Sequence, residues 1–415
     1  MPSRRGVLCH ITSLPTGDMA SGLRFIDWLS AQGFDAWQIL PLTPPDRFGS
    51  PYASPSAFAG WPELSHLEKY VDLNKEAYWL EDWALYSAIK ESQNGLPWYE
   101  WPVELRDRHP EALSHWKNNI APFIEQQEQF QANWNALRDH ARFKSIQLIG
   151  DCPIFVSHDS ADVWAHRELF LLDEHGHPEF VTGVPPDYFS EDGQKWGTVL
   201  YDWSAHENEN WTWWKQRIQR MLRLYDSVRI DHFRGFHSSW AIPQEDEHAR
   251  NGFWQDGPKD SLIEALLECC SGSNQIIAED LGIIPQEVID LRKRHNLHGM
   301  AVLQFGFEGE LDSNPHHPRN ISFDQVVYTG THDNDTTRGW YNEATDEIKS
   351  NLSELAIDDE KPLQTMLRLA QSTDAELSII PLQDILDFDS SCRMNAPGTI
   401  EGNWIWKFDW SDINL

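Results

Sequence analysis

Ser227-Val-Arg-Ile-Asp-His-Phe-Arg-Gly-Phe236 decides the reading of this chain. If Ser227–Asp231 is a strand, alternate residues share a face, so Arg229 and Asp231 point into the same space. A cation that close keeps Asp231 ionised. Two later stretches have the same form, a short apolar run ending in acids: Gln275-Ile-Ile-Ala-Glu-Asp280 and Val326-Val-Tyr-Thr-Gly-Thr-His-Asp333. In a parallel barrel such strand ends gather at one face, where side chains distant in sequence converge. Any one of these acids alone reads as a helix cap or half of an ion pair. Asp231, Glu279 and Asp333 together have the layout of a retaining glycosidase site.

Working outward from these runs gives eight β-like segments: Gly6–Ile11, Ala36–Leu42, Ile146–Asp151, Ser227–Asp231, Gln275–Asp280, Met300–Phe305, Gln325–Thr331 and Leu377–Leu382. With helical stretches between them, the pattern predicts an α/β fold, a (β/α)8 TIM barrel formed by residues 1–415 as one catalytic unit. The three acids then end the fourth, fifth and seventh strands. A helical insertion is expected over 44–144, after strand two, with amphipathic patterns at Trp79–Lys90 and Phe123–Phe143. Residues 152–210, after strand three, are rich in Gly, Pro and Asp and read as a long loop insertion shaping a substrate cleft.

Composition narrows the partners. Lys plus Arg total 33 against 65 Asp plus Glu, a formal charge of −32 that repels nucleic acid and anionic membrane surfaces. A neutral substrate fits better. The acidity also has a plainer reading as solubility or adaptation to the environment. Five cysteines with no CxxC spacing indicate reduced thiols, and no run of about 18 apolar residues appears, so the expectation is a cytoplasmic protein without membrane contact. The chain has 21 Trp, clustered in stretches such as Trp98-Tyr-Glu-Trp101 and Trp211-Thr-Trp-Trp214. Most belong to a core, and a few suit the C–H faces of sugars.

Several further motifs occur in order along the whole chain: Ser50-Pro-Tyr-Ala-Ser-Pro-Ser-Ala-Phe-Ala-Gly60, Gly150-Asp-Cys-Pro-Ile-Phe-Val156, Ser160-Ala-Asp-Val-Trp164, Gly183-Val-Pro-Pro-Asp-Tyr-Phe-Ser190, Gly193-Gln-Lys-Trp-Gly197, Ala278-Glu-Asp-Leu-Gly282, Gly330-Thr-His-Asp-Asn-Asp-Thr336 and Arg393-Met-Asn-Ala-Pro-Gly-Thr399. With the stretch around Asp231, they resemble the 4-alpha-glucanotransferases called amylomaltases or disproportionating enzymes, relatives of the α-amylases. The resemblance implies transfer of α-1,4-glucan segments to acceptor maltooligosaccharides, with Asp231 as nucleophile, Glu279 as general acid/base and Asp333 as the third acid. Burial and neighbouring acids such as Asp280 are expected to raise the Glu279 pKa.

The resemblance also suggests substrate-binding residues. Tyr52 resembles a tyrosine that stacks under the transferred glucose, or is a turn-packing residue. Asp151 resembles a substrate-positioning acid, or forms a structural ion pair. His332 resembles a histidine that donates to a sugar hydroxyl, or is a core histidine. Gln194 and Trp196 resemble residues lining the subsites next to the cleavage point. Asp187, in the Gly183–Ser190 motif, and Arg229 join the substrate-binding set. Asn395 either binds the donor sugar or forms a turn.

No metal or cofactor is expected. The His–Asp pairs 231/232 and 332/333 are of a type that holds metals at barrel strand ends, but the resemblance calls for none. Nucleophile-elbow, zinc-protease and phosphate-loop patterns are absent. The chain departs from the family pattern at Trp61, where Asn is usual, at Thr198-Val199, where Asn-Pro is usual, and at Lys407, where Arg is usual. It is also shorter within the helical insertion. These departures bear on a secondary glucan-binding groove and leave the three acids untouched. Oligomeric state is not legible.

Overall fold

The computed structural model describes residues 4–186 and 191–413. Eight parallel strands form the core sheet: β1 (Arg4–Leu8), β2 (Ala36–Gln38), β3 (Gln147–Pro153), β4 (Ser227–Asp231), β5 (Ile276–Ala278), β6 (Gly299–Val302), β7 (Gln325–Tyr328) and β8 (Leu377–Pro381). Their order is β6-β7-β8-β1-β2-β3-β4-β5, and β8 pairs with β1 through Gly6 and Ile379. The remaining gap is bridged where the Ala278 N–H donates to the His298 carbonyl at 2.7 Å. All eight expected strands are present, each within a few residues of its expected bounds.

Alternation explains why these segments read as apolar runs. Val7 and Leu148 point outward into the cluster beneath the helices, while their neighbours Leu8 and Ile149 point into the barrel. Parallel strands covered on both faces need apolar residues at every position. Inside, Leu8, Ala36, Ile149, Ile277, Met300, Val326, Leu377 and Ile379 pack against one another. Above them the interior turns polar. Tyr328 donates to Gln38 at 2.8 Å, and Asp151 and Arg229 occupy the same inward face as Ile149 and Ile277.

Between β2 and β3 the chain forms helices at Ala77–Ser92 and Ala121–Phe143, with shorter ones between, close to the two amphipathic patterns. The long helix packs on the helix Ala20–Ala31 and on β3. Two expectations need correction. The 152–210 stretch is not simply loop, because Phe180–Val184 and Gln194–Val199 are strands. They join Ser238–Pro243 and Phe253–Asp256, from the connection after β4, in a four-stranded antiparallel sheet. The β/α alternation also lapses once. Between β6 and β7 the chain runs through a 3-10 turn and loops, with no α-helix.

Among the described residues, no helix is long and apolar enough to cross a membrane. No group of three or more His, Cys, Asp or Glu side chains there is arranged to hold a metal ion.

Candidate active site

Register places the first two acids side by side. Ile230 pairs with Ala278 across β4 and β5, so the next residues, Asp231 and Glu279, leave neighbouring strand ends. Adjacent strands lie about 4.8 Å apart. That spacing suits the roughly 5–5.5 Å carboxyl separation of a retaining pair.

The turn that follows fastens them. His232 has φ 52, a left-handed conformation unusual for a residue other than glycine. In that conformation its backbone N–H donates to Glu279 Oε2 at 2.6 Å, and Leu281 donates its N–H to Oε1 at 2.8 Å. Strain of this kind concentrates where the surroundings fix a functional geometry. Burial pushes the Glu279 carboxyl up to about 7. Arg229 pulls it down, the Asp231 carboxylate pushes it up, and the two backbone donors pull it down. Burial prevails because it disfavours the charge outright.

Asp280 does not contribute as expected. One residue beyond Glu279, it falls on the other face of the strand end, where it pairs with Arg292 at 3.0 Å and accepts the Met300 N–H at 2.8 Å. The raised pKa comes from burial and Asp231 instead.

Arg229 is the hub of the barrel interior. One guanidinium nitrogen reaches both Asp151 oxygens, at 2.9 and 2.7 Å, and the other donates to Asp231 Oδ1 at 2.8 Å. Only 4% of Arg229 and 1% of Asp151 are exposed. Tyr52 donates its hydroxyl to Asp151 Oδ2 at 2.7 Å. Both Asp151 oxygens are therefore occupied, which favours the ion-pair alternative: Asp151 orients Arg229 and Tyr52 from below.

The third acid stands across the mouth. Asp333 Oδ1 accepts from Asn395 Nδ2 at 2.6 Å and lies 3.3 Å from His332 Nε2. The Asn395 N–H donates to the His332 carbonyl at 3.1 Å, joining the loops after β7 and β8. The His332 ring stacks on Tyr52, with centroids 5.1 Å apart and planes 6° from parallel. Trp196, 39% exposed, meets the His232 ring edge-on at 4.9 Å and donates its indole N–H to Gln194 at 3.1 Å. Asp187 lies outside the described residues. The other ten expected site residues gather around the C-terminal mouth of the barrel.

Sequence reasoning missed two contributors. Arg393 donates to the Asp333 carbonyl at 2.5 Å and to the Asn395 carbonyl at 2.7 Å, bracing that loop. Its place at the head of the Arg393–Thr399 motif was the available signal. Trp404, at φ 66, packs against Tyr52 at 5.8 Å and His332 at 6.0 Å. Nothing distinguishes it in sequence from the other tryptophans.

Comparison with known proteins agrees with this geometry. A family model described as 4-alpha-glucanotransferase, glycoside hydrolase family 77, matches residues 9–73 and 63–412. The chloroplastic/amyloplastic 4-alpha-glucanotransferase of Solanum tuberosum is 41% identical over 97% of this chain and 82% of its own. The 4-alpha-glucanotransferase of Thermus thermophilus is 39% identical over 98% and 95%. The solved amylomaltase of Streptococcus agalactiae, in complex with acarbose, superposes with a TM-score of 0.93 at 32% identity, covering 99% of this chain and 96% of that one. An α-amylase of Lactobacillus plantarum shares the fold alone, at TM-score 0.51 and 12% identity. With a barrel, three strand-end acids and relatives matched from end to end, this chain belongs to the 4-alpha-glucanotransferase family.

Proposed function

We propose that the chain works as a retaining 4-alpha-glucanotransferase on α-1,4-glucans, with Asp231 as nucleophile and Glu279 as acid/base. The observation that carries this reading is the pairing of Asp231 and Glu279 at adjacent strand ends, with the His232 N–H holding the acid. Asp231 attacks the anomeric carbon as the bond to the departing O4 breaks, and Glu279 delivers its proton to that oxygen. A β-linked glycosyl ester on Asp231 and a shortened glucan result. Glu279 then takes the proton from the 4-hydroxyl of an acceptor glucan or glucose. That oxygen displaces Asp231, and two inversions restore the α-linkage.

Arg229, bonded to Asp231 Oδ1, holds that carboxyl in place for attack and for departure. Asp333, held by Asn395, accepts from hydroxyls of the transferred glucose. Tyr52 offers its ring face to that sugar, with His332 as donor beside it. Gln194 and Trp196 meet the units next to the cleavage point, and Asp187 joins the substrate-binding set. Water exceeds a millimolar acceptor about 10⁴ to 10⁵-fold, so transfer needs roughly 5.5–7 kcal/mol of preference at 1.36 kcal/mol per decade. Holding the acceptor in place of water is a proximity effect of that size. We place the enzyme in the cytoplasm, a reading that the five free cysteines support.

The test uses a Glu279→Gln variant and a maltosyl fluoride. Fluoride leaves without a proton, so the ester forms, while its transfer to an acceptor lacks a base. Peptide mass spectrometry should find the sugar on Asp231. An adduct on another residue rejects the assignment.

A further inference from the structure

The loops after β4 and β5 carry a cluster separate from the residues assigned above to the transferred glucose. Arg234, three residues past Asp231, donates to the carbonyl of Ile283 in the turn after Glu279, and so ties the loops after β4 and β5 together. Its guanidinium carbon also sits 3.8 Å from the centroid of the Trp254 ring. Trp254 belongs to the edge strand Phe253–Asp256, in register with Trp240, whose ring contacts it at 5.0 Å and 63°. Despite these two supports, Trp254 keeps 39% of its surface open, and Ile283 keeps 70%.

The placement follows from chain connectivity. Residues that would hold the transferred glucose come from the loops after β2, β7 and β8. Arg234 and Ile283 continue from the strands carrying Asp231 and Glu279, and Trp254 rests on Arg234. The cluster is thus tied to the two strand ends that carry Asp231 and Glu279. An indole fixed by a cation on one face and an aromatic neighbour at its side is preorganised, so stacking on its open part costs little side-chain entropy. Its flat apolar surface matches the C–H face of a pyranose.

We propose that Trp254, set by Arg234, is an outer acceptor subsite that stacks on a glucose unit of the acceptor α-glucan. This rests on the transferase reading above. Binding there lengthens the preferred acceptor and leaves the chemistry at Asp231 and Glu279 unchanged.

The experiment measures acceptor KM with α-maltosyl fluoride as donor and glucose, maltose, maltotriose and maltotetraose as acceptors. Wild type, Trp254→Leu, Trp254→Phe and the remote surface variant Phe143→Ala are compared. For Trp254→Leu, which fills volume without a ring face, KM should rise about three- to tenfold for the longer acceptors and less than twofold for glucose, the range expected of one aromatic contact. Trp254→Phe should recover most of the difference, and Phe143→Ala should match wild type throughout. A uniform rise across all lengths, or no rise at any, overturns the subsite while leaving the transferase reading intact. If wild type gives only hydrolysed donor with every acceptor, the transferase reading fails and takes the subsite with it.

Discussion

His232 donates its backbone N–H to Glu279 Oε2 at 2.6 Å, so the residue after Asp231 positions the Glu279 carboxyl. Glu279 is thereby aimed, and burial keeps it protonated to about pH 7. With glucan donors, kcat/KM should fall on the alkaline side with an apparent pKa near 7. With a glycosyl fluoride, which needs no proton to leave, that limb should vanish from kcat/KM. A limb that persists with the fluoride assigns it to another group.

The same group makes stability depend on pH in a defined direction. The folded protein holds the Glu279 proton to about pH 7, while the unfolded chain releases it near its ordinary value of 4.5. Unfolding therefore releases a proton between those values, and wild type loses stability as pH rises through that window. Glu279→Gln has no carboxyl proton to release. Its Tm advantage over wild type should grow from pH 5 to pH 7 and level off above. Thermal unfolding at five pH values checks this, and an advantage that shrinks with rising pH contradicts it.

Arg229 is the sole cation among the described residues that bonds both Asp151 and Asp231. Arg229→Ala should cost about 3–5 kcal/mol in denaturant unfolding, because it leaves a buried carboxylate uncompensated. Adding Asp151→Asn to that variant should recover part of the loss, since the penalty is for unpaired charge. A double variant worse than the sum of the two singles would contradict a charge-pair role for Asp151.

Asn395 fixes Asp333 with a bond to a charged acceptor, a class worth about 1.5–3 kcal/mol. Asn395→Ala should lower kcat/KM for maltotriose about 10- to 100-fold while changing Tm by no more than a few degrees. An equal loss of activity and fold would make Asn395 a turn residue.

The barrel was legible because each of its strands is buried on both faces and so reads as a short apolar run. The antiparallel sheet beside it was not. Gln194-Lys-Trp-Gly-Thr-Val199 and Phe253-Trp-Gln-Asp256 are partly exposed and carry polar residues or glycine, and their two hairpins are joined only by the pairing of Phe180–Val184 with Ser238–Pro243, strands distant in sequence. The three acids stood out by their place at run ends, but their surroundings did not. Asp280, next to Glu279 in sequence, faces Arg292 on the outer side. Trp404 reaches Tyr52 and His332 through a left-handed turn that no local pattern announces.

Incubation of the purified protein with maltotriose tests the central claim most directly, with chain lengths and reducing ends followed together. Transfer through Asp231 and Glu279 predicts a ladder extending above three units at constant reducing ends. Only shorter sugars, with reducing ends rising in step, would contradict it.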